Sequence, residues 1–139
     1  MSIDGLSDAE IARILAETRR VALLGASHHP DRAANYIQAF LQRRGYEVTP
    51  INPGLAGQSL HGRLVVARLE EAAPLDMIDV FRASAHLPGI VDETIRLGAR
   101  TIWAQLGVAD IGAAARARAA GITMVMDRCP SIEVRRLHL

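Results

Sequence analysis

The chain has 139 residues, 50% of them hydrophobic, which is enough for one well-filled core and too few for two ordinary domains. Its 16 basic and 15 acidic residues leave a formal charge of +1, so no strong field gathers nucleic acid or an anionic membrane surface, and any anion must be held by a local site. Every basic residue is arginine, which excludes Schiff-base chemistry and a lysine-dependent phosphate loop; the single cysteine, Cys129, excludes an internal disulfide.

In chain order, Ser7 with Glu10 in the capping-box position opens a predicted N-terminal helix over residues 7–18. Val21 to Leu24 is a continuous apolar run ending at Gly25, as expected of a strand buried on both faces. Tyr36, Ile37, Phe40 and Leu41 recur at helical spacing, predicting a helix over Tyr36 to Arg44 that closes before Gly45. Glu47 to Ile51 reads as a strand followed by the turn Asn52-Pro53-Gly54, and Arg63 to Val66 as a further short strand. The run Met77 to Phe81 is a strand, Leu87 to Leu97 a helix closed by Gly98, and Thr101 to Ala104 a strand. Ile111 to Ala120 is an alanine-rich helix closed by Gly121, Thr123 to Met126 the last strand, and the tail from Ser131 a short amphipathic helix. Strands alternating with helices predict a single α/β domain over residues 1–139, its core about 21–137, with a doubly wound, mainly parallel sheet covered on both faces. No basic-then-apolar leader and no apolar run near the ~20 residues of a membrane span are present, so a soluble cytoplasmic protein is expected.

Ligands of such sheets bind beyond the carboxyl ends of the strands. There the chain places Gly25 to Arg32, Asn52-Pro53, Arg82, Gln105 with Gly107, and Asp127 to Pro130. The first loop has the position of a dinucleotide-binding turn, but Ser27 stands where the second glycine belongs, so the glycine fingerprint fails. Its hydroxyl and neighbouring N–H groups suit a phosphate, and Arg32 supplies a charge-assisted contact; the alternative is an ordinary connecting loop in which Ser27 caps a helix. Nicotinamide dinucleotides want an acid after the second strand, whereas Ile51 and Asn52 stand there and Glu47 lies at the wrong end.

Five ordered blocks, Gly25-x-Ser27-x-x-Pro30-x-Arg32, Tyr46-x-Val48-x-Pro50-Ile51-Asn52-Pro53, Asp79-Val80-Phe81-Arg82, Trp103-x-Gln105-x-Gly107 and Met126-Asp127-Arg128-Cys129-Pro130, resemble the small stand-alone CoA-binding protein family over roughly Val21 to Leu137. The domain is also similar to the N-terminal CoA-binding domain of the succinyl-CoA synthetase α-subunit. The resemblance implies a Rossmann-like fold and bound coenzyme A. Gly25, Ala26, Ser27, Pro30 and Arg32 would form the phosphate loop, and Tyr36 would start its helix. Asn52 and Pro53 would border the nucleotide, Phe81 and Arg82 would pack against or pair with it, and Gln105 with Gly107 would close the far side. A 3′-phosphate and a pyrophosphate call for cations, which Arg32 and Arg82 provide.

Trp103 in its apolar run reads as core, and Phe81 as either core or ligand platform. The histidines lack metal-ligand spacing. Asp79 interrupts a buried strand and is expected to pair with an arginine. Cys129 follows the last strand beside Arg128 and is expected to face the crevice, where an oxidised protein would form a mixed disulfide with the CoA thiol; the alternative is a small buried hydrophobe. The functional expectation is a CoA or acyl-CoA binding module without a complete catalytic site. The alternatives are a subunit or fragment of an acyl-CoA synthetase type, whose phosphorylated histidine lies in a later domain, and an NAD-linked oxidoreductase. A small-molecule ligand is the expected partner, without nucleic acid or membrane; a homodimer or a protein partner stays open.

Overall fold

The structure is a computed structural model and describes residues 2–139. α1 (Asp8–Glu17) opens with the full capping box: the Ser7 hydroxyl accepts from the Glu10 N–H and the Glu10 carboxylate accepts from the Ser7 N–H, both at 3.2 Å. β1 (Arg20–Leu24), α2 (Ala33–Arg43) and β2 (Glu47–Ile51) form the first βαβ unit, with Val21 opposite Val48 and Leu24 opposite Ile51. A small hairpin follows, β3 (Ser59–Leu60) and β4 (Arg63–Leu64). β5 (Met77–Val80), α3 (Leu87–Leu97), β6 (Thr101–Ala104), α4 (Ile111–Ala119), β7 (Thr123–Val125) and α5 (Pro130–Arg136) complete the order.

The main sheet runs β2-β1-β5-β6-β7 with every pairing parallel. Its central strands are buried at every position of β5 and β6, which is why they read as largely apolar runs, with Asp79 as the one charged interruption. Alternate side chains divide between two cores. Ala22, Ile78, Val80, Ile102 and Met124 pack under α3 and α4. Val21, Leu23, Val48, Met77, Trp103 and Val125 pack under α1, α2 and α5. The chain therefore crosses on one face between β1 and β2 and on the other between β5 and β6. Neighbouring β1 and β5 thus form a switch point, where the loops leaving their carboxyl ends part and open a crevice.

Two predicted elements differ. α2 begins at Ala33 rather than Tyr36, because Ala33 and Ala34 add little to an apolar periodicity although Ala34 packs into the core. The segment Arg63 to Val66 is not one strand. β4 pairs antiparallel with β3, and Val66 separately makes a single parallel bridge to Ile51. Gly57 and Gly62, at φ +90° and +78°, let the chain double back in this way.

Candidate functional site

The Gly25–Arg32 loop is held by its carbonyls and carries open N–H groups. Gly25 has φ +95°, and a Cβ there would lie 2.6 Å from the Phe81 carbonyl oxygen, so only glycine lets the β1 and β5 loops approach this closely. The N–H groups of Gly25 and Ala26 both donate to the Ile51 carbonyl, at 3.1 and 3.0 Å, anchoring the loop to the end of β2. The Asn52 side-chain amide donates to the Ala26 carbonyl at 2.8 Å, and the Asn35 amide donates to the Ser27 carbonyl at 2.9 Å. Ser27 Oγ accepts from the His29 N–H at 3.1 Å and keeps its own proton to give. Among the described residues no protein acceptor meets the N–H groups of Ser27 and His28. The same holds for Ala33 and Ala34 in the first turn of α2, which has no side-chain cap. Arg32 is exposed, and no acid among the described residues pairs with it. Open amides, a hydroxyl, a helix N-terminus and a free guanidinium converge there, a combination suited to an anion.

Two hollows flank this loop. Gly25, Ser27, His29, Arg32 and Phe81 enclose about 320 Å³ on the α2 side. Leu24, Ile51, Pro53, Arg68, Arg82 and Arg96 line about 500 Å³ on the α3 side, and both volumes fall in the range of small-molecule sites. The sequence did not single out Arg68, His86 or Arg96. Arg68 pairs with Glu70 at 3.3 Å, whereas Arg82 and Arg96 have no acid partner among the described residues.

The structure brings Gly25, Ser27, Arg32, Phe81, Pro53 and Arg82 to the crevice. Pro30 lies exposed on the loop and Ala26 is buried under it, while Tyr36, 53% exposed on α2, lines neither hollow. Asn52 is occupied: its Oδ1 accepts from the Gly54 N–H at 2.8 Å while its amide holds Ala26. Gln105 is buried beneath the rim and donates to Asp79 Oδ1 at 2.5 Å. The Gly107 N–H donates to Asp127 Oδ1 at 2.7 Å.

Asp79 corrects an expectation. It pairs with Gln105 and with no arginine, lies between Leu23 and Trp103 in the register, and leaves its Oδ2 without a partner. Burial pushes its carboxyl up to about 7 against the lowering effect of the Gln105 hydrogen bond. The corner after β7 is also closed. Arg128 turns away from the crevice and meets Asp4 at 2.9 Å and Glu133 at 2.5 Å, with its side chain 10% exposed. Burial alone would raise the Asp4 carboxyl, but Arg128 and the N–H groups of Leu6 and Met126 hold it at about 2. Cys129 packs in the core under α1, α2 and α5, its Sγ 3.2 Å from Ser131 Oγ. Trp103 is fully buried and its indole N–H donates to the Arg128 carbonyl at 2.8 Å. Among the described residues no cluster of His, Cys, Asp or Glu is placed to hold a metal ion, and no helix is long and apolar enough to cross a membrane.

A family model for a CoA binding domain matches residues 19–135. A Bacillus subtilis (strain 168) protein, YneT, is 36% identical over 123 residues, spanning 88% of this chain and 90% of its own length. The crystal structure of Prb, the PH1109 protein redesigned for binding, superposes with a TM-score of 0.91 at 33% identity over 99% of this chain and 96% of that one. At the level of fold alone, the dinucleotide forming acetyl-coenzyme A synthetase 1 of Ca. Korarchaeum cryptofilum matches with a TM-score of 0.63 at 19% identity, over 76% of this chain and 25% of that one.

Proposed function

The chain belongs to the CoA-binding domain family, and from that premise we propose that it binds coenzyme A or an acyl-CoA across the carboxyl ends of β1, β2 and β5, as a binding module. The observation that carries this reading is the Gly25–Arg32 loop, whose Ala26 and Ser27 carbonyls are pinned by Asn52 and Asn35 while the Ser27 and His28 amides, the Ser27 hydroxyl proton and the Arg32 guanidinium stay open. A pyrophosphate fits that donor set, and Arg82 on the opposite wall offers a second cation for the remaining phosphate. Gly25 lets the ligand backbone approach the strand end, Phe81 gives it an apolar wall, and Pro53 borders the neighbouring hollow. Coenzyme A brings the phosphates and the acyl-carrying thiol; the chain binds and orients them. In this reading Gln105 acts from beneath the rim by tying the β6 end to Asp79 of β5, Gly107 ties the loop after β6 to Asp127, and Cys129 contributes packing. Asn52, where an acid would bind the ribose of a nicotinamide dinucleotide, favours coenzyme A over NAD.

Titration calorimetry and thermal shift with CoA, acetyl-CoA, dephospho-CoA, NAD and ATP test the reading. CoA at a hundred times its Kd raises stability by about 2.7 kcal/mol, dephospho-CoA binds more weakly, and NAD leaves the melting curve in place. Stabilisation by NAD without a response to CoA defeats the proposal.

A further inference from the structure

α2 presents three side-chain amides on one face, Asn35, Gln38 and Gln42, at spacings of three and four residues, and all three reach the β3–β4 hairpin. Gln38 Nε2 donates to the Leu60 carbonyl at 3.0 Å and Gln42 Nε2 to the His61 carbonyl at 2.8 Å. Asn35 differs from the other two because it faces both ways. Its Nδ2 donates to the Ser27 carbonyl, and its Oδ1 lies 3.0 Å from His61 Nε2, so that imidazole nitrogen carries the proton and donates. Asn35 is only 8% exposed although it stands on the first turn of α2. His61 is a non-glycine residue at φ +49°, a conformation that the surrounding contacts must maintain.

The hairpin is gripped again at its base. The Val66 carbonyl accepts from the Asn52 N–H at 3.0 Å and Val66 bridges to Ile51, whose carbonyl in turn receives the N–H groups of Gly25 and Ala26. A two-stranded hairpin this short is marginal by itself in water. Gln38 and Gln42 tie it to α2, while the Asn35–His61 contact and the Val66 attachment lead on to the Gly25–Arg32 loop.

We propose that Asn35 is a positioning residue for that loop and that, through His61, it couples the loop to the β3–β4 hairpin, so that a phosphate-bearing ligand and the hairpin order each other. This rests on the loop being the phosphate site of the preceding section. Pinning the Ser27 carbonyl fixes the Ser27–His28 peptide plane and so aims the His28 N–H outward, as Asn52 does for the Ser27 N–H through the Ala26 carbonyl. A ligand holding those groups tightens the Asn35 bridge, and a secured hairpin keeps the loop ready.

The test is amide hydrogen exchange with CoA calorimetry on the full chain, its Asn35→Ala variant and its His61→Ala variant. In the parent protein CoA slows exchange at Gly57 and Val65, whose N–H groups close the hairpin region onto Val65 and Gln58. Asn35→Ala raises the CoA Kd about tenfold, equivalent to about 1.4 kcal/mol, and abolishes that slowing; binding at parental affinity with the slowing intact overturns the proposal. His61→Ala, at an exposed position, keeps the Ser27 contact, so its Kd changes less than threefold while the slowing is lost; persistence of the slowing overturns the coupling even if Asn35→Ala fails to fold. Without ligand, His61→Ala accelerates exchange at Gly25 and Ala26, and unchanged exchange there overturns the coupling whatever the ligand is. Failure of the parent chain to bind CoA strikes the coenzyme reading alone, since this last comparison needs no ligand.

Discussion

Arg32 and Arg128 both stand just past a strand of the same sheet, in loops that lead into helices, yet one is open and the other is locked. Arg128 sits between Asp4 and Glu133 and also donates to Ser2 Oγ and the Leu6 carbonyl. Among the described residues Arg32 pairs with no acid, and its neighbours include amides that want an acceptor. The closed corner satisfies itself and can offer a ligand little, because its donors are already spent. The open loop keeps unfilled donors at the switch point, where folding gives it nothing to hold. The proposed binding site is thus the region that the fold leaves incomplete.

Substitutions that treat the two regions alike should give opposite results. The largest effect belongs to Arg128→Ala, which strands Asp4 in the interior, leaves Glu133 to Arg136 alone and costs about 3–5 kcal/mol in denaturant unfolding, with the CoA Kd of the folded fraction unchanged. Acid sharpens this. The Asp4 carboxyl is held at about 2 in the folded protein, so its contribution is present above the ordinary value of 3.8 and is lost as pH falls toward 2. The Arg128→Ala variant lacks that acid-sensitive part. Next comes Gly25→Ala, which sets a methyl group against the Phe81 carbonyl in a left-handed conformation. It should cost about 2 kcal/mol or more and abolish measurable CoA binding in calorimetry. Arg32→Ala should weaken CoA binding by about 1.5–3 kcal/mol with stability changed by less than about 0.5 kcal/mol, the reverse of the Arg128 result. Equal stability losses for the two arginine variants would break the comparison.

The last effect is read only as a pH dependence and concerns Asp79, between the two regions. Its folded carboxyl is raised to about 7, so the neutral acid is the form the fold favours. That contribution is complete below about 3.8 and is lost as pH rises through about 7. Asp79→Asn should match the parent protein in acid and exceed it in stability at pH 8. Equal pH profiles for the two proteins would show that the Asp79 carboxyl titrates alike in the folded and unfolded chain, against the raised value.

The architecture was largely legible because the strands are buried on both faces and the helices carry caps: Ser7 with Glu10, and Gly98 at φ +82°, act as punctuation independent of tertiary context. The Gly25–Arg32 loop could be located from strand ends alone. What could not be read were partners far apart in the chain. Asp4 lies 124 residues from Arg128, and nothing local to Asp127-Arg128-Cys129 signals that the guanidinium turns inward. Gln105 looks like a crevice residue until its side chain meets Asp79 below it, and Asp79 gives no sign that its partner is an amide and not an arginine. Asn35 stands just before the helix predicted from Tyr36, and only the return of the hairpin brings His61 to it. The hairpin escaped notice for another reason: Ser59–Leu60 and Arg63–Leu64 are too short and too exposed to carry a period.

Trp103 is the sole tryptophan of the chain, and its indole is tied to the Arg128 carbonyl in the closed corner, away from the open loop. Its fluorescence is therefore a built-in witness to one region only. Emission should stay blue and steady while coenzyme is titrated in, and should shift red when the corner loosens. One cuvette can then tell a protein that has lost its grip on ligand from one that has begun to come apart.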